Sequence, residues 1–452
     1  MEVSYGASIG WFSSAFTLLK DINSPLSSGP ISIEESSYIG SASCVGGFIA
    51  SCFYGWIAEK FGRKKALISI AVPQMVGWIV VYFATNPMWL ITSRFLHGFA
   101  GGGIFIVVPI FVTEISEDRV RGRLGTLFMV TMSVGILLGY VLGDIMEFTT
   151  SPLCLLMITN IFLAGVIVIH DSPMYLLRKS RFGRAENALK FYRGAARDKA
   201  GMNGKVKLEY DNMTCMIKMA NCDNTKGKIT LGDFHLLSGT YALLSYASMI
   251  FDEAGSSLSP NVSAMIVGLI QLVGVYVSTI FVDRAGRKIL LVSSAFGCAL
   301  GLALFGGYDY LKYQGMDLDE YNWIPLASFS FVIFVANLGV VSLPFLVLTE
   351  ISPLKIKDIV YSINLSLAWI LAFCALQFLP TSIAALGLFG TMAILACSCF
   401  AGAIFIIIYV PETKNRSIEE IQEIMMNVAL VLREPFALFT KKESKQFDIE
   451  VV

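Results

Sequence analysis

The sequence predicts an all-α membrane protein whose twelve transmembrane helices form two pseudo-symmetric six-helix halves. Composition, run length and a phrase written twice carry this reading. Of 452 residues, 55% are hydrophobic and only 15% are charged, whereas a soluble globular domain carries about 25% charged residues. A hydrocarbon core about 30 Å thick needs roughly 20 mostly apolar residues per helix, and twelve runs of about that length occur along the chain. The stretch "AEKFGRKKALI" at Ala58 returns as "VDRAGRKILLV" at Val282. Each has an acidic residue, a basic one, an apolar one and then Gly-Arg-Lys.

The first six expected spans run Ser4 to Leu19, Ser36 to Ala58, Ala66 to Ala84, Trp89 to Thr113, Gly122 to Gly143 and Pro152 to Ile169. The second six run Ile229 to Phe251, Val262 to Val282, Ile289 to Tyr308, Trp323 to Thr349, Ile359 to Leu379 and Ala384 to Val410. This divides the chain into a first half (1–170), a polar linker (171–228), a second half (229–410) and a tail (411–452). The first run has no basic flank or small-residue cleavage site, unlike a cleavable leader. It is short, as a truncated N-terminus would be. In the linker, Ala185, Leu189, Tyr192 and Ala196 fall at i, i+4, i+7 and i+11, which suits either an amphipathic helix docked under the membrane or a solvated connection. Ser417 followed by Glu420 marks a capping box at the start of a similar pattern in the tail.

Net charge is zero, but its distribution is asymmetric. With twelve spans, one set of loops holds Lys60, Arg63, Lys64, Lys65, Arg119, Arg121, Arg123, Arg284, Arg287, Lys288, Lys355 and Lys357. The other set holds Lys20 and Lys312 among several acids. The positive-inside rule makes the basic set cytoplasmic, with both termini on that side. Cations spread along one membrane face exclude a nucleic-acid partner; the partners expected are a lipid bilayer and a small solute. The nine cysteines lie in spans or linker, none in an outer loop, so no disulfide framework is expected. Asn261-Val262-Ser263 is an outer-loop glycosylation sequon close to the eighth span.

The halves echo each other again in "PIFVTEIS" at Pro109 and "PFLVLTEIS" at Pro344, and in Asp171-Ser172-Pro173 and Pro411-Glu412-Thr413, which follow spans six and twelve. Repeats in one orientation imply halves related by an axis along the membrane normal. In order along the chain, Gly55 to Lys64, Arg94 with the Gly101–Gly103 cluster, Glu114 ahead of Arg121-Gly122, Asp171-Ser172-Pro173, Asp283 to Lys288 and Pro411 to Lys414 resemble the sugar porter family of the major facilitator superfamily. The stretch "GSSLSPNVSAMIVGLIQ" is similar in particular to insect facilitative sugar and trehalose transporters. The resemblance covers essentially the whole chain. It implies the major facilitator fold, a plasma-membrane location and a facilitative transporter that works by alternating access. It also implies an inner-face latch of Glu59, Arg63, Glu114, Arg121, Asp283, Arg287 and Glu350, made when the protein opens outward and broken when it opens inward.

Spacing gives that latch a physical basis. An acid and an Arg at i, i+4 share one face of a helix end, and Gly permits the tight turn between helices. Within the fourth span, Gly98-x-x-x-Gly102 permits close backbone approach. Arg94, an intramembrane charge, is either functional or pairs with a neighbouring helix to hold the fold.

The family binds sugars through planar amides and indoles, and this chain departs from that pattern. Positions matched on flanking motifs are Met129 in span five; His235, Ser238 and Tyr241 in span seven; Gln271 in span eight; Phe345 in span ten and Trp369 in span eleven. A site with few amides holds a polyol weakly. His235, Tyr241 and Phe345 therefore either serve a different solute or are core aromatics. Span one carries no acid to relay protons, while Asp233 lies either ahead of a late-starting span seven or buried within it. No phosphate-binding loop, metal-ligand spacing or nucleophile-and-base pairing occurs, so no cofactor, metal or enzymatic activity is expected. The alternatives to sugar transport are a carrier of a non-sugar solute and a non-transporting membrane sensor.

Overall fold

The computed structural model describes residues 1–194, 204–222, 239–255, 258–344, 357–410 and 412. Among these residues there is no strand. The first six spans are α1 (Glu2–Lys20), α2 (Ile33–Phe61), α3 (Arg63–Tyr82), α4 (Pro87–Ile115), α5 (Asp118–Ile145) and α6 (Ser151–Val168). Three helices follow: α7 (Pro173–Arg178), α8 (Phe182–Tyr192) and α9 (Gly204–Cys222). The remaining spans are a broken pair α10 (Thr240–Ser245) and α11 (Ala247–Ala254), then α12 (Pro260–Ala285), α13 (Arg287–Tyr313), α14 (Ile324–Leu338) and α15 (Lys357–Tyr409). Among the described residues eight helices are long and apolar enough to cross a membrane, one of them α15, which bends at Gly387 and comprises two.

Helix starts follow local chemistry. Ser32 and Glu35 form a reciprocal capping box on α2, with Glu35 N donating to Ser32 Oγ at 3.1 Å and Ser32 N to Glu35 Oε2 at 2.8 Å. Asn86, Ser172 and Ser259 each cap a helix whose first residue is proline, which has no N–H to leave orphaned.

The two repeated turns have the same construction. Gly62 (φ 102°) separates α2 from α3, and Gly286 (φ 93°) separates α12 from α13. The amides of Arg63 and Lys64 donate to Asp171 Oδ1 at 3.0 and 3.2 Å. Those of Arg287 and Lys288 donate to Glu412 at 2.9 and 3.1 Å. Lys64 Nζ reaches Ile167 O at 2.7 Å, and Lys288 Nζ reaches Ile407 O at 2.8 Å. A carboxylate at a helix N-terminus satisfies orphan donors and complements the helix dipole. Each turn thereby ties the third span of its half to the chain leaving the sixth.

Packing places a cavity between the halves. α1 lies along α5, α2 along α4, α12 along α14 and α13 along α15, while α2–α15 and α5–α12 join one half to the other. A Cβ at Gly98 would stand 1.8 Å from Ser43 O, so the α2–α4 contact requires glycine there. At the end opposite the basic turns, the halves touch. Ser41 Oγ bonds Gln377 Oε1 at 2.6 Å, and Tyr246 Oη donates to Ser36 O at 3.2 Å and Leu376 O at 3.3 Å. Ser248 N donates to Ser13 Oγ at 3.2 Å.

Several expectations are refined. Span seven is interrupted at Tyr246, and Tyr140 of α5 donates to the carbonyl of Leu244 there at 2.7 Å, satisfying backbone that the helix leaves open. The turn between spans eleven and twelve, expected at 380–383, lies at Gly387 (φ 73°), where glycine tolerates the left-handed region. Span ten's helix breaks after Leu338 into a turn at 339–342 and resumes at Leu343; the expected end at Thr349 falls in 345–356, outside the described residues. The Asn261 sequon is helical, and its Nδ2 donates to Asp144 Oδ1 at 2.8 Å, so the glycan-accepting nitrogen is engaged. In the linker, α8 buries Ala185 and Leu189, and Tyr192 donates to His170 O. Burial, with the nearby Asp171 charge, pushes the Tyr192 phenol above its usual value and keeps it a donor. Ala196, Asp233 and the tail's Ser417 and Glu420 lie outside the described residues.

Gly62→Ala and Gly286→Ala should each lower the thermal unfolding midpoint in detergent, from about 1–3 kcal/mol of backbone strain plus displacement of the capping carboxylate. Gly165→Ala and Gly402→Ala, whose new methyls would meet nothing within 4 Å, should leave it unchanged or raise it slightly.

Candidate functional site

A cavity of about 110 Å³ lies between the halves, walled by α1, α4, α5, α10, α12, α14, α15 and the turn after α14. Its aromatic wall is ordered edge-to-face. Trp369 stands 6.0 Å from Phe105 and 6.2 Å from Tyr241, with interplanar angles of 79° and 90°. Tyr241 and Tyr5 share a hydroxyl–hydroxyl bond of 3.0 Å that links α10 to α1 across the halves. Much of the remaining wall is apolar, with Met129, Met132 and Ile136 on α5 and Leu365 and Ala372 on α15, beside the hydroxyls of Ser133 and Thr240.

Among the described residues, three buried polar atoms on this wall have no partner: Gln271 Oε1, Asn337 Oδ1 and Trp369 Nε1. The Asn337 amide is oriented by its nitrogen, which donates to Ile333 O at 2.7 Å. A buried polar atom left unpaired costs about 1–3 kcal/mol. Two acceptors and one donor on spans eight, ten and eleven therefore call for a solute with complementary groups. Four of the seven residues expected around a substrate, Met129, Tyr241, Gln271 and Trp369, line this cavity. His235, Ser238 and Phe345 lie outside the described residues. Asn337 was not among the expected residues. Its signal is a lone amide within the apolar run Val335-Ala336-Asn337-Leu338, two residues before a helix-ending glycine.

Arg94 is buried, 3% exposed. It donates to Ser8 O at 3.1 Å and Ser43 Oγ at 3.3 Å, and its guanidinium lies 4.8 Å from the Phe12 ring centroid. Among the described residues no carboxylate is paired with it. The charge is balanced by a carbonyl, a hydroxyl and a ring face, and it ties α4 to α1 and α2.

At the basic end, Arg63 is equally buried. It grips Glu114 with two bonds of 2.8 and 3.0 Å, reaches Glu59 at 3.3 Å and lies over the Tyr175 ring at 5.0 Å. These partners come from the first six spans and α7. Arg287 contributes its backbone amide to the matching turn. The backbones of Arg121 and Asp283 lie in α5 and α12 without described side chains, and Glu350 lies outside the described residues.

A family profile described as "Sugar (and other) transporter" matches residues 5–425. The chain belongs to the sugar (and other) transporter family. A facilitated trehalose transporter of Culex quinquefasciatus is 30% identical over 439 residues, covering 94% of this chain and 84% of that one. The facilitated trehalose transporter of Drosophila mojavensis is 30% identical over 438 residues, and the match spans only 51% of its length. The chain thus spans about half the length of several curated relatives. Among solved structures, the proton:xylose symporter XylE bound to 6-bromo-6-deoxy-D-glucose matches with TM-score 0.75 at 18% identity, covering 94% of this chain and 96% of that one. An inward-open XylE from E. coli matches at 0.76 and 18% identity, covering 94% and 97%. These structures establish the major facilitator fold expected from the family motifs.

The buried bidentate pair and the exposed acid beside it should separate in energy. Glu114→Gln leaves the Arg63 charge without its main partner and should destabilise the fold by about 3–5 kcal/mol in thermal or denaturant unfolding. Glu59→Gln, at a side chain 52% exposed, should cost no more than about 1 kcal/mol.

Proposed function

We propose that this chain carries a sugar, trehalose or a hexose, across the plasma membrane by facilitated diffusion. The half 1–170 rocks against the half 229–410 about the central cavity, and both termini and the 171–228 linker are cytoplasmic. The observation that carries the sugar reading is the set of three unpaired polar atoms of Gln271, Asn337 and Trp369 beside aromatic faces. Ring hydroxyls both donate and accept, and the C–H face of a pyranose packs on an indole or phenyl ring. The trehalose transport named for relatives points to the same solute class.

Facilitated rather than proton-coupled transport is supported by Arg94. Its surroundings are a carbonyl, a hydroxyl and the Phe12 ring, so the described core offers no acid–base pair at that depth to take up and release a proton. The location of the cations supports the orientation. The mostly apolar α5 face, where Met129, Met132 and Ile136 surround a single hydroxyl at Ser133, favours a second reading, a less hydroxylated solute, because it offers one wall of the cavity few hydrogen bonds.

Uptake of labelled trehalose, glucose, fructose and a polyol into proteoliposomes tests this. Saturable uptake of at least one sugar, unaffected by a proton uncoupler, is expected. Gln271→Leu and Asn337→Leu should each weaken apparent affinity about tenfold, the order set by losing a hydrogen bond to a buried polar group. Trp369→Phe, which keeps an aromatic face but removes the donor, should fall between these and the parent. No uptake of any sugar by correctly inserted protein would overturn the proposal, and uptake of only a poorly hydroxylated solute would favour the second reading.

A further inference from the structure

We infer that the turn between α7 and α8 is a docking surface for anionic phospholipid of the inner leaflet, an interaction independent of the central cavity. The segment Arg178-Lys179-Ser180-Arg181-Phe182-Gly183-Arg184 is exposed at all seven positions, with four cations and no acid. It is a built turn. Ser180 N donates to Leu177 O at 2.9 Å and Arg181 N to Leu176 O at 2.8 Å, and Ser180 takes φ 56° to close it. The opposite faces of α7 and α8 are buried against each other through Tyr175, Leu176, Ala185 and Ala188. The charged loop therefore projects from a packed base.

That base is fixed beside the membrane surface. Tyr175 Oη donates to Lys60 O at 3.2 Å, and Lys179 Nζ lies 3.5 Å from Glu59. Lys60 lies 4.5 Å from the centroid of Trp56, a ring 57% exposed at the end of α2. Tryptophan at a span's end marks headgroup depth. Lys64 bonds the carbonyl of Ile167, whose side chain is exposed on the α6 surface with that of Val168. Cations at headgroup depth thus border an apolar, acyl-facing surface. Phe182, 55% exposed between Arg181 and Arg184, adds an apolar group able to enter the interface beside the charges. Positive-inside asymmetry explains the sign of these residues. It does not explain four in seven positions, on a turn held by its own hydrogen bonds, around an exposed phenyl ring. Clusters of four or more such cations next to a span attract anionic lipid.

The inference rests on the basic end facing the inner leaflet, but its test does not depend on transport. The full chain is extracted from phosphatidylcholine membranes containing phosphatidylserine, and retained lipid is read by native mass spectrometry. The parent should retain phosphatidylserine in preference to phosphatidylcholine, with the preference falling as salt rises. Lys179→Gln/Arg181→Gln/Arg184→Gln should lose about tenfold of that retention, the order expected from removing three cations at an anionic surface. The charge-preserving Lys179→Arg/Arg181→Lys/Arg184→Lys variant should behave as the parent, and inorganic phosphate should not compete at millimolar levels. Equal retention by the glutamine variant, no preference in the parent, or displacement by free phosphate would overturn the inference. Sugar uptake by the glutamine variant should persist, separating failure of this surface from failure of the central cavity.

Discussion

A helix that starts at the membrane edge exposes backbone N–H groups with no internal partner, and in a low-dielectric setting those groups must be satisfied. This chain meets the constraint twice in the same way. Asp171, after the sixth span, caps Arg63 and Lys64; Glu412, after the twelfth, caps Arg287 and Lys288. The preceding glycines make the tight reversal possible, and the lysines close the arrangement on the last turns of α6 and α15. Each half is thus cross-braced at one end, with its third span fixed to its sixth. Arg63 and Glu114 add a buried pair within the first half.

Bracing of this kind concentrates freedom between the halves. There the contacts are of another type: single hydroxyl, amide and aromatic contacts from α10, α11 and α15 to α1 and α2 at the end away from the basic turns. Single hydroxyl and amide bonds exchange more readily than a buried bidentate pair, although the α2–α15 and α5–α12 packing also holds this seam. The cavity sits at this seam, and its unpaired acceptors and indole donor contrast with the satisfied turns. Satisfied polar groups at the braced turns and unmet hydrogen-bonding capacity at the cavity fit the alternating access proposed above.

Much of the fold was legible because span length is a blunt physical signal. Apolar runs located the crossings, and the duplicated Gly-Arg-Lys phrase located the two capped turns. The break at Tyr246 is not legible, since no glycine or proline occurs between Gly239 and Gly255 and the open carbonyl is satisfied by Tyr140 reaching across from α5. The reversal at Gly387 was missed because Pro380 is the stronger sequence breaker, yet a proline can sit inside a long bent helix. At the cavity, Gln271 and Trp369 were found from motif positions. Asn337 lies seven residues ahead of Pro344, outside the motif that marks span ten, and only its isolation in an apolar run signals it. The partners of Arg63 could be narrowed to acids at the basic end, but their placement within the first half needed coordinates.

Pulsed electron-spin distance measurements test most directly whether two braced bodies move about the cavity. One label pair, at Ile22 and Leu258, spans the two halves at the acidic end, where both residues are exposed. A second, at the exposed residues Lys65 and Glu147, lies within the braced first half. With saturating trehalose or whichever sugar is transported, the first distance distribution should shift by several Å, the scale of rigid-body domain motion, while the second stays unchanged. No shift in the first pair, or an equal shift within the braced half, would contradict the account.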